Sequence, residues 1–398
     1  MKMSKIATFF YLFLLASIAN AQSGVFDITK YGGHADADIT QALTSAWKEA
    51  CALTTPSKVV VPAGTYKLNV ISFQGPCKGK IDFQLDGTVQ APADPAQVKT
   101  DGSWITFEHV DHLTILGKGV FDGQGATAWN QNNCGKNPDC EKTAMNLGFN
   151  FLTNSIIRDV TSKDSKNFHV NVLGGNNVTF DHFTVSAPET SLNTDGIHIG
   201  RSIGINVINT NIATGDDCIS LGDGNKNITV TGVTCGPGHG ISVGSLGRYN
   251  NEEPVEGIIV KNCTIKNTSN GVRIKTWPHY PVTGSATDMH FEDIIMDNVG
   301  NPVLIDQEYC PWNQCNRALS SKIKISKVSF KNIRGTSSTK QAVKLACSKG
   351  IPCEGVELAD IDLTFSGGPA TSACTNVKPI ITGKQNPPAC TAAPAPTS

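Results

Sequence analysis

Four short phrases decide the fold of this chain: Asn-Thr-Asp-Gly-Ile at residues 193–197, Gly-Asp-Asp-Cys-Ile at 215–219, Gly-His-Gly-Ile at 238–241 and Gly-Val-Arg-Ile-Lys at 271–275. Their anchoring apolar residues recur at intervals of 22, 22 and 31 positions: Ile197, Ile219, Ile241 and Val272. Each phrase opens a short run in which apolar and polar residues alternate, as in a half-buried β-strand. Each also carries a different acid or base at nearly the same place. A constant frame with varying reactive groups indicates a repetitive scaffold that holds a site.

A second ladder of apolar residues runs in parallel with the first. Six segments share one pattern of apolar spacings, and their first residues step by 27, 23, 30, 31 and 34 positions: Val178, Ile205, Ile228, Ile258, Met289 and Ile323. The first ladder should likewise extend back to Phe168 and on to Val303. Two interleaved strand ladders at this period predict an all-β fold, a parallel β-solenoid in which each coil stacks on the previous one.

Two other repetitive folds fit the sequence less well. A β-sandwich needs tight hairpins, but Asn-Gly between alternating strands occurs only at residues 270–271. Leucine-rich repeats need a leucine–asparagine signature that is absent here. We therefore expect one solenoid domain over residues 22–390. Helical spacing of apolar residues over 36–52 predicts an amphipathic helix that caps the open N-terminal end of the coil.

The two ends of the chain differ from its middle. Residues 1–21 have a positive start, an apolar run at 6–18 that is too short to span a bilayer, and a small-residue cleavage motif at 19–21. They predict a secretory signal peptide, with an uncleaved anchor as the alternative. The Pro-rich residues 391–398 are expected to be disordered. The mature chain should be soluble and extracellular, since no later run is apolar enough to cross a membrane.

Thirteen cysteines suit an oxidising compartment. Six short-range disulfides suggest themselves, although sequence alone leaves the connectivity open: Cys51–Cys77, Cys134–Cys140, Cys218–Cys235, Cys310–Cys315, Cys347–Cys353 and Cys374–Cys390. Cys263 is left over. We expect it to be a buried, unreactive thiol, because it shares an inward column with five other residues: Phe183, Thr210, Val233, Ile294 and Val328. A zinc site is the alternative, but no Cys-X-X-Cys motif occurs.

The net charge and the glycosylation motifs limit the classes of molecule that the chain is expected to bind or carry. The chain has 33 basic and 34 acidic residues, so its global charge favours neither nucleic acid nor a membrane surface. A polyanionic ligand would have to be held by local basic groups. Four sequons are candidate glycosylation sites in a secreted chain: Asn177, Asn227, Asn262 and Asn267.

Alternation along the four phrases places several polar residues on the outer face of the solenoid. The positions after the anchors should form an outward row, with Lys275 on the same face: His198, Ser220, Ser242 and Arg273. Two positions before the anchors stand residues that should stack about 4.8 Å apart, with Asp216 beside them: Asp195, Asp217, His239 and Asn270. Strict alternation would turn the two aspartates inward. The preceding turns must therefore re-aim them, and Gly196 and Gly240 allow such a bend.

Three carboxylates at this spacing repel one another, so at least one pKa should rise. A raised pKa suits a general acid and an ionised neighbour suits a base, the pair that glycoside hydrolysis uses. Arg273 and Lys275 offer a fork and a point charge for substrate carboxylates. The alternatives are a calcium site or turn caps for the aspartates, a backbone-bonded turn histidine at His239, and an ordinary solvated face for the two cations.

At these residues the chain resembles plant polygalacturonases, pectin-cleaving glycoside hydrolases of the right-handed parallel β-helix class. The likeness runs from residues 26–32 and 61–66 through the four phrases, and the motifs Asn-Thr-Asp, Gly-Asp-Asp, Gly-His-Gly and Arg-Ile-Lys are intact. The resemblance implies that Asp216 is the general acid. It implies that Asp195 and Asp217 activate the water of a single, inverting displacement.

The resemblance also implies roles for the surrounding residues. His239 would support protonation of the acid, and Arg273 and Lys275 would bind galacturonate carboxylates. Asn193 would help to hold the sugar, and Tyr309 matches a substrate-contacting tyrosine. Cys218–Cys235 is similar to a disulfide that recurs beside the aspartates. The partner would be pectin or polygalacturonate, bound by a monomer in the cell wall without a metal or organic cofactor.

The stretch 198–202 is most similar to the pollen-type, exo-acting branch. This likeness implies release of galacturonic acid from the non-reducing end of homogalacturonan, with endo action as the alternative mode. The enzymatic alternatives are a pectate lyase, which uses calcium and an arginine base, and a rhamnogalacturonan hydrolase. A non-catalytic wall-binding solenoid is the alternative from another class.

Overall fold

Stacked parallel strands make up most of the structure. The computed structural model describes residues 24–100, 102–133, 143–278, 282–311, 313, 315–316 and 319–390. Within these residues the chain is a right-handed parallel β-helix, which confirms the fold expected from the two ladders. The predicted signal peptide, the C-terminal tail and Cys134–Cys140 lie outside them.

The strands form two sheets that run along the solenoid. Sheet 1 has eleven strands in the described residues: Ile71–Gln74, Ser103–Glu108, Met145–Asn150, Val170–Leu173, Ile197–Gly200, Ile219–Leu221, Ile241–Leu246, Val272–Thr276, Val303–Asp306, Gln341–Ala346 and Thr371–Thr375. Sheet 2 has 21 strands, counted over the same part of the chain: Gly24–Asp27, Ser57–Val61, Thr65–Lys67, Ile81–Leu85, Thr88–Gln90, Leu113–Gly117, Val120–Asp122, Thr153–Arg158, Thr161–Lys163, Asn176–Asp181, Thr184–Ser186, Ile203–Ile208, Asn211–Ala213, Lys226–Thr231, Thr234–Cys235, Val255–Lys261, Thr264–Lys266, Thr283–Val299, Lys322–Ser337, Glu354–Phe365 and Ile380–Asn386.

The predicted amphipathic helix lies at the N-terminal end. Helix α1 is Thr40–Ala52 and begins four residues later than expected, because the Asp38 side chain accepts hydrogen bonds from the backbone and hydroxyl of Thr40. Its Trp47 packs on Phe73 of the first sheet 1 strand, with ring centroids 4.9 Å apart. The helix therefore covers the first coils. Three shorter elements are α2 (Ala126–Gln131) and the 3₁₀ helices Ile28–Tyr31 and Pro95–Gln97.

The register of sheet 1 confirms the four anchors and corrects the extension of their ladder. Ile197, Ile219, Ile241, Val272 and Val303 are paired in sequence. On the other side Ile197 pairs with Val170, so the expectation of Phe168 was wrong by two residues. A shift of two keeps every side chain on the same face, and alternation alone therefore does not fix it.

The last step of the second ladder was also wrong. Met289 pairs with Val328, 39 residues later, and not with Ile323. Both strands are long, and the spacing of Ile323 and Ile325 recurs in Val328 and Phe330, so two registers fit the pattern. The inward column of Cys263 consequently continues through Ile294 to Ile333 instead of Val328.

The cysteines of the described residues occur mostly as disulfides. Five of the six expected disulfides are present: Cys51–Cys77, Cys218–Cys235, Cys310–Cys315, Cys347–Cys353 and Cys374–Cys390. Cys263 is a free cysteine that is 2% exposed, which confirms a buried free thiol, and burial raises the pKa of that thiol to about 11. Among the helices of the described residues, none has the length and apolarity of a membrane span.

Candidate active site

The outer face of sheet 1 carries the row of side chains that the four phrases predict. His198, Ser220, Ser242 and Arg273 occupy successive paired positions on neighbouring strands. Lys275 lies two positions beyond Arg273 on the same strand. Ser220, Ser242, Arg273 and Lys275 are each at most 9% exposed, so this part of the outer face is recessed.

The turns before these strands hold the aspartates in place. The Thr194 hydroxyl accepts hydrogen bonds from the Gly215 backbone at 3.0 Å and the Thr214 hydroxyl at 2.8 Å, which ties two neighbouring turns together. Gly196 has no room for a side chain, because a Cβ there would lie 2.4 Å from the Cys218 carbonyl oxygen. Because Gly196 has no side chain, the turn that carries Asp195 can pack closely against the next coil.

Asp217 is bonded on both carboxylate oxygens and is 1% exposed. Its Oδ1 accepts from Arg273 at 2.8 Å and from the Ser242 hydroxyl at 3.0 Å, and its Oδ2 accepts from Lys275 Nζ at 2.7 Å. Burial by itself would raise the pKa of Asp217, but Lys275 and Arg273 outweigh burial and lower that pKa to about 2. Asp217 therefore lies on the outer face as an ionised group, although strict alternation would turn it inward.

Asp195 lies in the same row one coil away and has the opposite electrostatics. It is 7% exposed, and burial, followed by the charges of Asp216 and Asp217, raises its pKa well above the usual range. The charge of Lys275 opposes that rise. A raised carboxyl pKa was expected from crowding; at Asp195 burial is the largest cause, and the neighbouring carboxyl groups add to it.

Asp216 and His239 form the more accessible part of the cluster. His239 Nδ1 lies 2.9 Å from Asp216 Oδ1, and the two side chains are 43% and 22% exposed. The hydrogen bond with Asp216 raises the pKa of His239, against a smaller opposing effect of burial. Asp216 Oδ1 also accepts from the Asp217 backbone at 2.8 Å. Asp216 is therefore a carboxyl that a ligand can reach.

The structure places the two expected sugar-contacting residues differently. Tyr309 lies beside the cations, with its ring centroid 5.2 Å from Lys275 Nζ and 5.8 Å from the Arg273 guanidinium carbon. Burial raises the pKa of the Tyr309 hydroxyl, so it is a neutral donor. Asn193 is exposed on the turn two residues before Asp195, with a φ of 55°. It therefore adjoins the cluster.

One hydroxyl ligand of the aspartates was not predicted from the sequence. The Ser242 hydroxyl donates to Asp217 Oδ1 at 3.0 Å from the following strand. Its place in the outward row was predicted, but a serine has no charge that would mark it as a partner. The Cys218–Cys235 disulfide begins directly after Asp217 and fixes the strand that carries Ser220. The four sequon asparagines are exposed.

The calcium alternative can be tested against the donor set. Ligand atoms of Asp216, Asp217 and His239 lie within 4.8 Å of one another. Both oxygens of Asp217 already bind cationic side chains, however, and these would repel a divalent ion. The residues therefore fit a cation-neutralised carboxylate better than a metal site.

Comparison with known proteins agrees with this geometry. The family model described as Glycosyl hydrolases family 28 matches residues 51–390. An exopolygalacturonase of Oenothera organensis is 63% identical over 361 residues, which cover 90% of this chain and 99% of that protein. A polygalacturonase of Medicago sativa is 59% identical over 405 residues, which cover 100% of this chain and 94% of that protein.

Two solved structures share the fold. The endo-xylogalacturonan hydrolase from Aspergillus tubingensis superimposes with a TM-score of 0.76 at 24% identity, covering 88% of this chain and 95% of that one. The hyperthermoactive exopolygalacturonase from Thermotoga maritima gives a TM-score of 0.76 at 16% identity, covering 91% and 92%. Both likenesses concern the β-helix, which matches nearly end to end.

Proposed function

The chain belongs to glycosyl hydrolases family 28, and we propose that it is a polygalacturonase that hydrolyses the α-1,4-galacturonosyl bonds of pectin. One observation carries the proposal. Three neighbouring carboxyl groups have three different environments, and two buried cations lie beside them. The curated relatives called polygalacturonase or exopolygalacturonase at 59% and 63% identity support the same activity.

Asp216 acts as the general acid. It is the most exposed of the three carboxyl groups, at 22% of its side chain, and so can reach the leaving oxygen. Proton transfer to that oxygen allows the glycosidic bond to break. His239, whose pKa is raised by its hydrogen bond with Asp216, returns a proton to the acid between turnovers.

Asp195 and Asp217 activate the attacking water on the opposite face of the sugar, so the anomeric centre is inverted. Asp195 takes the proton. Its pKa is raised, and an ionised carboxyl with a raised pKa is the stronger base. Asp217 orients the water and fixes the two cations, because both of its oxygens are already bonded.

Arg273 and Lys275 bind substrate carboxylates while they remain paired with Asp217. Lys275 uses one of its three donors on Asp217, and Arg273 uses its Nε on Ser242 and one NH₂ group on Asp217. The remaining donors can form charge-assisted hydrogen bonds with a substrate carboxylate. Tyr309 packs beside both cations, and the exposed Asn193 precedes Asp195 by two residues; both contact the same sugar.

The enzyme acts from the non-reducing end and releases galacturonic acid. Support comes from the exopolygalacturonases of Oenothera organensis and Platanus acerifolia, which are 63% and 56% identical. It works as a secreted monomer in the cell wall, a setting that suits the five disulfides of the described residues. One catalytic domain spans residues 22–390 after removal of the signal peptide.

The test is the Asp216→Asn variant, assayed on polygalacturonate by reducing-end release and product chromatography. Loss of the general acid should lower kcat by about 10²–10⁴-fold while substrate binding is retained. The control is Asp223→Asn, since Asp223 is an acidic residue that pairs with Arg201 at 3.1 Å. Its turnover should stay close to that of the wild type.

The products separate the alternatives. Galacturonic acid alone indicates exo action, whereas a ladder of oligomers indicates endo action. Unsaturated sugar ends or loss of activity on chelation would overturn the hydrolase in favour of a lyase. Binding without any turnover by the wild type would leave a wall-binding solenoid.

A further inference from the structure

The position that precedes the reactive groups of the site is occupied by an aromatic residue. Five residues each lie two positions before a strand of sheet 1: Phe168, Asp195, Asp217, His239 and Asn270. The His169 backbone donates to the Asp195 carbonyl at 2.8 Å, so Phe168 adjoins Asp195 on the coil before it. We call the direction towards the N-terminal coils upstream. The reactive positions therefore begin at Asp195, with a phenyl ring directly upstream.

The Phe168 ring leans downstream, over the coil that carries Asp195. Its centroid lies 5.3 Å from that of the His198 ring, and the two rings are tilted by 40°. His198 belongs to the coil of Asp195 and lies in the outward row of sheet 1. Both rings are half-buried, so each keeps some exposed surface. The two side chains, here called the ring barrier, thus cross the outer face at the upstream side of Asp195.

Hydrogen bonds fix the turn that carries Phe168. Its carbonyl accepts from the Ser165 hydroxyl at 2.8 Å and from the Asn146 backbone at 3.0 Å. Its backbone N–H donates to the Asn167 side chain at 3.0 Å, and the Asn167 amide donates to the Thr143 carbonyl at 2.9 Å. The turn cannot move aside without breaking these bonds. The backbone under the ring barrier is therefore held in place.

Charge differs between the upstream and downstream strands of sheet 1. Four strands lie upstream of Asp195 in the described residues, and they contain no lysine or arginine: Ile71–Gln74, Ser103–Glu108, Met145–Asn150 and Val170–Leu173. Their one charged residue is Glu108. The downstream strands carry Arg273, Lys275 and Lys344 against one acid, Asp306. Because cations attract a polyanion and carboxylates repel it, the sugar chain should extend downstream from the ring barrier.

The proposed reaction fixes which end of the sugar chain meets the ring barrier. Water activated at Asp195 attacks the anomeric carbon of one unit, and Asp216 protonates the oxygen that leaves with the next unit. Asp216 lies one coil downstream of Asp195, so the leaving unit lies downstream and the attacked unit lies beside the ring barrier. The attacked unit directs its anomeric carbon downstream. Its non-reducing side therefore faces Phe168.

We propose that the ring barrier closes the upstream end of the substrate site and that Phe168 is a specificity-determining residue, which contacts the non-reducing terminal galacturonosyl unit and leaves no place for a unit beyond it. The inference rests on the proposed polygalacturonase function and deepens it. Exo action then follows from the side chain at one position, because the sugar chain can reach the aspartates only by its non-reducing end.

The test is the product profile of Phe168→Ala on trigalacturonate that is labelled at its reducing end. The wild type removes single units from the non-reducing end, so all of its unlabelled product is galacturonic acid. Without the ring a unit can bind upstream of Asp195, and the variant should also release unlabelled digalacturonate, which the wild type cannot form. On polygalacturonate the products should shift from galacturonic acid alone to a mixture that contains oligomers.

A matched control separates opening of the ring barrier from the loss of an aromatic side chain. Phe151 also packs on a histidine, with its ring centroid 4.9 Å from that of His109. It follows the strand Met145–Asn150, one coil upstream of Phe168 and at the other edge of sheet 1. Phe151→Ala should form no unlabelled dimer. Phe168→Tyr keeps the ring and should retain the wild-type products.

Phe168→Met decides the question if the alanine variant does not fold, because methionine fills the position with a flexible side chain in place of a rigid ring. It should also release unlabelled dimer. Galacturonic acid as the only unlabelled product of a folded Phe168→Ala or Phe168→Met variant would overturn the inference, even if turnover became slower.

The wild type separates this inference from the proposed function. If it forms a ladder of oligomers from polygalacturonate, the ring barrier does not close the site, and the inference fails while the polygalacturonase activity stands. If the wild type does not hydrolyse polygalacturonate, the proposed function fails and this inference fails with it. If the wild type releases only galacturonic acid and the folded variants do the same, this inference alone fails.

Discussion

Asp195 and Asp217 lie on neighbouring coils, each two residues before a strand of sheet 1, yet their pKa values shift in opposite directions. Asp217 is held ionised, with a pKa of about 2, whereas the pKa of Asp195 is raised well above its usual range. Both are buried, at 1% and 7% exposure. Burial therefore does not distinguish them, and the difference must come from their partners.

The surroundings of the two aspartates differ although their coils repeat. Asp217 accepts hydrogen bonds from two cationic side chains, Arg273 and Lys275, which hold it ionised. At Asp195, burial and the two neighbouring carboxyl groups raise the pKa instead. A repeated scaffold thus makes a strong base and a fixed anion from the same residue type by changing the charged groups around it.

The largest expected effect comes from removing the cation of Asp217. Lys275→Met should lower the free energy of unfolding by about 3 kcal/mol at pH 7, the low end for a broken buried pair because Arg273 still contacts the carboxylate. Because the pKa of Asp217 is lower in the folded state, its ionisation stabilises the protein above the unfolded-state pKa near 4. This stabilisation is lost as pH falls towards 2. Chemical denaturation at pH 7 and pH 3 should show the deficit shrinking with acidity.

A surface pair of equal length is the control for this variant. Lys384 lies 2.7 Å from Asp362, but the side chains are 64% and 41% exposed. Lys384→Met should therefore cost less than about 1 kcal/mol. The double variant Asp217→Asn/Lys275→Met should recover most of the stability lost in the single variant. If both lysine variants cost the same, burial of the Asp217 pair contributes nothing.

Asp195→Asn should separate stability from activity. Because the pKa of Asp195 is higher in the folded state, this residue stabilises the protein below its unfolded-state pKa. That stabilisation is lost as pH rises through its folded-state pKa. Asparagine does not titrate, so the variant should be more stable than the wild type at pH 8 and equal to it at pH 3. Hydrolysis should fall about 10²–10⁴-fold.

Asp217→Asn is the matched contrast, because the sign of its pKa shift is opposite. It should be less stable than the wild type at pH 8. Thermal unfolding of both variants at the two pH values is sufficient. A loss of stability at pH 8 in both variants would mean that the two carboxylates have equivalent surroundings.

The sequence predicts the fold and the composition of the site because both depend on periodicity. Alternation assigned the outward row, and the glycine-flanked phrases located Asp195, Asp217 and His239 one coil apart. The connectivity within the row could not be predicted. The hydrogen bond from Ser242 to Asp217 depends on side-chain directions at a turn that breaks the alternation, and a repeat pattern does not contain those directions.

The strand register was the other feature that the sequence did not predict fully. Val170 replaces Phe168 as the partner of Ile197, and Val328 replaces Ile323 as the partner of Met289. In both cases the alternative keeps apolar residues inward, so burial energy is nearly the same. The lengths of the turns and of the long strands decide between the two registers. The spacing of apolar residues in the sequence does not reveal either length.

The smallest effect is expected at His239, which tests whether the accessible third carboxyl resembles Asp217 in having a cationic partner. Hydrogen bonding to Asp216 raises the pKa of His239, so its contribution to stability is present below about pH 6.5 and is lost as pH rises through the folded-state value. The His239 side chain is 43% exposed, and solvent screening limits the contribution to less than about 1 kcal/mol. His239→Gln should therefore lower Tm slightly at pH 5 and leave it unchanged at pH 9.

His182→Gln removes an exposed His–Asp contact of 2.7 Å on sheet 2 and provides the baseline. An equal loss of Tm at both pH values in His239→Gln would show a neutral hydrogen bond, and Asp217 would then be the only one of the three carboxyl groups in the described site that is paired with a charged residue.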